Sequence, residues 1–249
     1  MAFLLSLGMT LSVASYLKAA EPANAPASLK TLINQIDSAA NQRNIEQIKQ
    51  FYSPNFINND GLNYTNLEKA LQDLWQQYPD LKYTTELISW QQDGNNIIAK
   101  TRTQIQGTGQ FQEAQSILSG TILSQQTIQG DKLVRQQILN EKITVKSGKK
   151  PPEVDIKLPE SVRPGQEFDF DVILKDPLGN NLFAGAALNQ VINGENYLYP
   201  ANLELELLQA GGLFKRAKAP LKPGDRWLSG VVIGYDGMIW VTQRLRIEQ

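Results

Sequence analysis

The feature that most restricts the fold is a change of period at Tyr78-Pro79-Asp80. Before it, apolar residues recur every three or four positions; after it, they alternate singly along most of the chain. A period near 3.6 turns one face of a helix toward a core, and a period of two does the same for a strand. On the early side, Leu29, Leu32, Ile33, Ile36 and Ala40 predict an amphipathic helix. Ile45, Ile48 and Phe51 predict a second, with Asn44 as its N-cap and Ser53-Pro54 as its end, because the residue before proline avoids the helical region. A third opens at Thr65 and carries Leu67, Ala70, Leu71, Leu74 and Trp75. After the switch, strands are predicted over 81–92, 96–106, 111–126 and 132–146, parted by glycine-bearing turns. Helices followed by an antiparallel sheet form an α+β layer order.

A second break falls at Ser147-Gly148-Lys149-Lys150-Pro151-Pro152, where a flexible residue, charge and two prolines end any strand. Composition shifts with it, since 19 of the 24 glutamines lie before this point. A chain of 249 residues is long enough for two cores. The boundaries read from these breaks are 1–27 for a signal segment, 28–147 for the α+β domain and 151–249 for a second domain. In that second domain, Val154, Ile156 and Leu158 alternate with charged residues, as do Phe168, Phe170 and Val172. Further strands are predicted over 182–190, 203–209, 226–234 and 238–248. Roughly seven short strands in about 100 residues predict an all-β immunoglobulin-like sandwich, here without cysteines. Each domain is expected to fold alone.

The run from Asn41 to Phe56, with Gly61 and the helix that follows, resembles the opening of the nuclear transport factor 2-like superfamily, which includes SnoaL-type and ketosteroid-isomerase-like proteins. The resemblance covers about 29–146. It implies three helices on a strongly curved antiparallel sheet, forming a cone with one open mouth. Where that superfamily commonly has a Gly-Asp step between its first two helices, this chain has Arg43-Asn44.

The apolar stretch from Ala2 to Leu17 is broken by serines, Gly8 and Thr10, which makes it short for a membrane span and closer to a secretory signal. Ala25-Pro26-Ala27 is the favoured cleavage site, and Ser12-Val13-Ala14 competes with it. The expected location is extracytoplasmic, with membrane attachment only if the segment is retained.

Chemistry is limited by the absence of histidine and cysteine. Tyr52, Phe56, Trp75, Tyr83, Trp90 and Arg102 are the candidate ligand-binding residues, because rings on the helices and the concave sheet face can line an apolar pocket. The first domain offers Asp37, Asp60, Asp73, Asp80, Asp93 and Asp131 as bases, nearly all in turns or on polar helix faces. No catalytic residue is assigned. Glu167, Asp169 and Asp171, with Glu204 and Glu206, read as the exposed half of amphipathic strands, so neither metal nor cofactor is expected. A net charge of −1 gives no field for nucleic acid. The expected function is therefore non-enzymatic: binding of a small apolar ligand or a protein partner, or self-assembly as a homodimer. A metal-independent lyase or isomerase is the alternative.

Overall fold

The computed structural model describes residues 19–111, 114–176, 182–197, 203–208 and 210–248. The apolar stretch read as an export signal, up to residue 18, lies outside them.

The three helices form as α1 (Ala27–Asn41), α2 (Ile45–Phe51) and α3 (Tyr64–Gln77). Asn44 caps α2, its Oδ1 accepting from the Gln47 N–H at 3.0 Å. The cap of α3 is Asn63 rather than Thr65, with its Oδ1 accepting from the Asn66 N–H at 2.9 Å. Arg43 takes φ +56° at the end of α1, a left-handed conformation that glycine adopts without strain. Arginine there costs on the order of 1 kcal/mol.

Strands β1 (Tyr52–Asn58), β2 (Lys82–Asp93), β3 (Asn96–Phe111), β4 (Ala114–Gln129) and β5 (Lys132–Gly148) follow. The second half supplies β6 (Val154–Lys157), β7 (Ser161–Val162), β8 (Glu167–Leu174), β9 (Ala184–Val191), β10 (Glu206–Leu207), β11 (Gly212–Lys218), β12 (Gly224–Gly234) and β13 (Gly237–Ile247). The strand predicted over 203–209 shrinks to β10.

As a class, the α+β reading needs correction. With helices of only 15, 7 and 14 residues and 56% of the described residues in strands, the protein is mostly β. The reason is that the sheet does not stop at the Pro-Pro connector. β13 pairs antiparallel with β5 from Gly237↔Gly148 to Gln243↔Lys142, so both halves share one sheet, in order β10-β9-β12-β13-β5-β4-β3-β2. Among the described residues it has ten strands, with β1 and β7 off the main path. A three-stranded sheet, β11-β8-β6, packs against its far end. The second half is thus a two-sheet packing, but its larger sheet is not its own.

The side-chain core does divide near the connector. In the first half, Leu29, Ile33, Phe56, Ile128 and Leu133 form one cluster, and Trp75, Tyr78, Leu81, Tyr83 and Leu118 form another. In the second, Phe168, Phe170 and Val172 of β8 face Leu228, Val232, Val241 and Leu245.

The free edge of β5 is used twice. Its beginning pairs in parallel with β1, as Leu133 with Tyr52 and Gln136 with Asn58, and its end pairs with β13. Between residues 136 and 142 the edge forks. At the other end of the sheet, the twelve-residue edge strand β2 would invite pairing with another chain. Here α1 blunts it. Asn41 imitates a strand partner, donating to the Tyr83 carbonyl at 3.0 Å and accepting from the Tyr83 N–H at 2.8 Å. Asp37 accepts from the Thr85 N–H at 2.6 Å, and Ala20 exchanges two backbone hydrogen bonds with Trp90.

Candidate functional site

The aromatic residues proposed to line a pocket are built into the first half's core. Tyr52 meets the Phe56 ring edge-on at 4.8 Å between centroids, and Phe56 is buried among α1 side chains. Trp75 Nε1 donates to Tyr83 Oη at 3.0 Å, both rings being buried. Burial pushes the Tyr52 and Tyr83 hydroxyls up to about 12, with the Trp75 hydrogen bond partly opposing this for Tyr83. Trp90 is half-buried against the Phe56 cluster. Arg102 is apart from all of them, exposed on the opposite sheet face and paired with Glu86 at 2.9 Å. Between α2 and α3 a crevice of about 10 Å³, lined by Ile48, Tyr52 and Leu71 among others, has room for one water rather than a ligand.

The carboxylates of this half are also engaged. Asp37 holds Thr85, Asp73 pairs with Lys69 at 2.8 Å, and Asp80 accepts from both the hydroxyl and the N–H of Thr108. Those hydrogen bonds, the hydroxyl's first, hold Asp80 below its ordinary value. On the outer face of the small sheet, Glu167 pairs with Arg216 at 3.0 Å, while Asp169 and Asp171 lie opposite Arg216 and Lys157. Among the described residues, no three acidic side chains are placed to hold a metal ion.

The most concentrated chemistry lies at the fork in β5's edge, where Asp60 alone of the sequence candidates is found. Arg244 of β13 is the residue next after the last β13–β5 pair, and its side chain is fully buried. Its Nη1 and Nη2 reach Asp60 Oδ1 and Oδ2 at 2.9 and 2.6 Å, a bidentate pair. Nη2 also donates to Glu141 Oε2 of β5 at 3.2 Å, and Nη1 to Asp225 Oδ2 of β12 at 2.8 Å. Trp227 Nε1 donates to the same Glu141 oxygen at 2.9 Å, and Tyr197 Oη donates to Asp60 Oδ2 at 2.6 Å. The Tyr197 and Trp227 rings cover the group edge-to-face, 4.6 Å apart.

Local backbone explains how Asp60 gets there. Asn58 Oδ1 accepts from the N–H groups of Asp60 and Leu62, tying the turn after β1 into a loop with Gly61 at φ +84°. The segment bearing Tyr197 presses on this loop so closely that a Cβ at Gly194 would stand 2.7 Å from the Gly61 carbonyl oxygen. Only glycine permits that approach.

One guanidinium faces three carboxylates here, a formal excess of two negative charges with little solvent. Burial, opposed by Arg244 and the Trp227 hydrogen bond, raises Glu141 above its ordinary value. Burial first, then the charges of Glu141 and Asp60, lifts the Tyr197 hydroxyl well above its own. For Arg244, burial alone would lower the value, but the hydrogen bonds and charges of Asp60 and Glu141 outweigh it and raise it. The arrangement is a buried ionic joint between the halves. A signal for it existed only in part: Asp60 was noted as a turn residue, and Arg244 reads as one more polar residue on an alternating strand.

A second feature lies at the opposite end of β12 and β13, where their hairpin meets the connector. A groove of about 750 Å³ is floored by Leu174, Phe183 and Ile233, with Lys150, Glu153 and Asp236 around it. Leu182, Leu207 and Tyr235, which also line it, are 79%, 68% and 98% exposed.

A family described as "Domain of unknown function (DUF8623)" matches residues 149–248. No curated protein matches the chain. Among solved structures, Bd1075 of Bdellovibrio bacteriovorus is similar at 20% identity over 44% of this chain and 38% of its own length, with a TM-score of 0.34. AclR of Streptomyces galilaeus shares 18% identity over 46% of this chain and 89% of its own, at 0.37. A protein of Catenulispora acidiphila described as having a ketosteroid isomerase-like fold shares 7% over 43% and 82%, at 0.32.

Proposed function

We propose that the chain is an exported, non-catalytic binding or assembly protein, and that its protein partner is held at the groove between the β12–β13 hairpin and the Pro151-Pro152 connector. The observation that carries this reading is the gathering of Leu182, Leu207 and Tyr235 at one concave place on the surface. Large apolar side chains grouped around a groove mark a contact site, whereas the same residues scattered singly would mean nothing. A tyrosine almost wholly in solvent gives a partner a rigid, amphipathic anchor. The first half contributes differently. Its rings and carboxylates are spent on packing and on edge protection, which favours a scaffold over a lyase or isomerase.

The test is a photoreactive residue placed at Tyr235 in cells that make the protein, with Thr121 on the first half's exposed sheet face as the control position. We expect one discrete protein adduct at 235, absent at 121, and reduced about tenfold by Leu207→Asp, the loss that about 1.4 kcal/mol produces. Equal labelling at both positions, or an adduct indifferent to Leu207→Asp, would overturn the assignment.

Export carries its own expectation. Ala20 pairs with Trp90, Ala25 is buried in the Phe56 cluster, and Pro26 caps α1. A cut after Ala27 would remove all three supports, so the Ser12-Val13-Ala14 site is the one we propose. N-terminal sequencing of the protein recovered from outside the cytoplasm should find a terminus at or before Ala20. A terminus at Ser28 would contradict this.

A further inference from the structure

We propose that the fork between β1 and β13 is an acid-strengthened clasp, in which a proton on Glu141 tightens the joint between the two halves and its loss loosens it. The grounds are geometric. Glu141 projects from the stretch of β5's edge, residues 137–141, that lies between the β1 pairing and the β13 pairing. It therefore sits where the two halves either hold together or part.

The groups facing Glu141 come from each neighbouring element. Arg244 on β13 is the one cation paired with it among the described residues, at 3.2 Å. Asp60 in the loop after β1 and Asp225 on β12 share that cation, at 2.6 and 2.8 Å. Trp227 on β12 donates a neutral hydrogen bond, Tyr197 lies beyond Asp60, and β4 offers only the apolar Ile122 opposite. Asp60 has the bidentate contact and the Tyr197 hydroxyl, so it is the better-supported anion. Glu141 has the longest contact to Arg244, and its Oε2 alone carries both of its hydrogen bonds. Of the three carboxylates it is the one whose charge the site compensates least. Its raised value in the folded protein agrees with this.

The direction of the effect follows from linkage. A carboxyl that holds its proton more tightly folded than unfolded stabilises the fold fully below its ordinary value near 4.5, and that contribution is lost as pH rises through the raised folded value. Acidification from mildly alkaline pH should thus strengthen the joint. Most carboxylate pairs behave in the opposite way, which makes the sign diagnostic.

The experiment compares the full chain with Glu141→Gln, which keeps an oxygen acceptor for Trp227 and removes the charge. At pH 8 the variant should melt about 3 °C or more above wild type, and the gap should narrow as pH falls toward 4.5. A gap that does not change with pH, or a variant that melts lower at pH 8, would overturn the proposal. Should the variant fail to fold, amide exchange in wild type decides. After correction for intrinsic rates, protection across residues 142–147 and 237–243 should increase several-fold as pH falls from 8 toward 4.5, and a pH-independent protection would refute the clasp.

Discussion

Arg244→Met is expected to destabilise the protein by about 3–5 kcal/mol, the loss that follows when one partner of a buried ion pair is removed. Methionine fills much of the space, so the effect is electrostatic rather than a cavity. Without the guanidinium, Asp60 loses its bidentate partner and Glu141 its paired cation, while both remain shielded from water. The carboxyls must then take up protons or the loop after β1 must open. The loss should be larger at pH 8 than at pH 5, because protonation relieves it. Guanidinium unfolding at both values, with the slope monitored to confirm a single transition, measures this. A change below about 1 kcal/mol at pH 8 would mean the cluster is already hydrated and adds little. Adding Asp60→Asn and Glu141→Gln to Arg244→Met should recover part of the stability, since an uncharged group of similar volume no longer needs the cation.

The second large effect concerns cutting the chain at the connector. Composition, period and the Pro-Pro break together lead one to expect that 28–147 and 151–249 fold alone, and the apolar clusters do separate there. Pairing across the junction changes the outcome we predict. In a 151–249 fragment, β13 loses seven backbone partners on β5, from Gly237 to Gln243, and presents that length as a bare edge beside Met238 and Ile239. Arg244 loses Asp60 and Glu141 together. The fragment should aggregate or show no amide protection over 237–243, because a long exposed edge with apolar neighbours seeks another strand. The first half, taken as 19–148 to keep Ala20 and Ala25, retains both of its clusters and should stay folded, though with the end of β5 exchanging freely. A 151–249 fragment with a cooperative melt close to that of the full chain would show that the shared sheet is incidental to its stability.

Much of the local structure was legible in the sequence, for reasons that are themselves local. The stripes Leu29-Leu32-Ile33 and Ile45-Ile48-Phe51 lie on faces that any helix would bury, and Asn44 caps α2 through a contact three residues away. The pairs β2–β3 and β4–β5 are closed by short turns at Gly94 and Gly130, so the separation between partners is small, whereas the glycine turn read between 106 and 111 lies inside β3, which runs on to Phe111. The pattern Phe168-Phe170-Val172 has only one buried side, so a period of two is enough to orient it. The aromatic residues proposed for a pocket show the limit of such reading. Periodicity places Tyr52, Phe56, Trp75, Tyr83 and Trp90 on inward faces, but whether an inward face lines a hollow or a filled core depends on what packs opposite.

Of the fork, only Asp60 stood out in the sequence, and only as a turn acid. Asp60 and Arg244 are 184 residues apart, and Glu141 and Arg244 are 103 apart. Each alone looks like an ordinary turn acid or strand charge. What the sequence determined by itself was the period of each element, its caps and the place where the apolar clusters divide, because those depend on contacts within a few residues or on one covered face. What only the tertiary structure decided was that β13 joins β5, that the class is therefore mostly β, and that one arginine sits buried among three carboxylates. Strand alternation records which side of a sheet a residue faces, but it carries no label for the neighbouring strand, and at the fork the neighbour sets the charge environment.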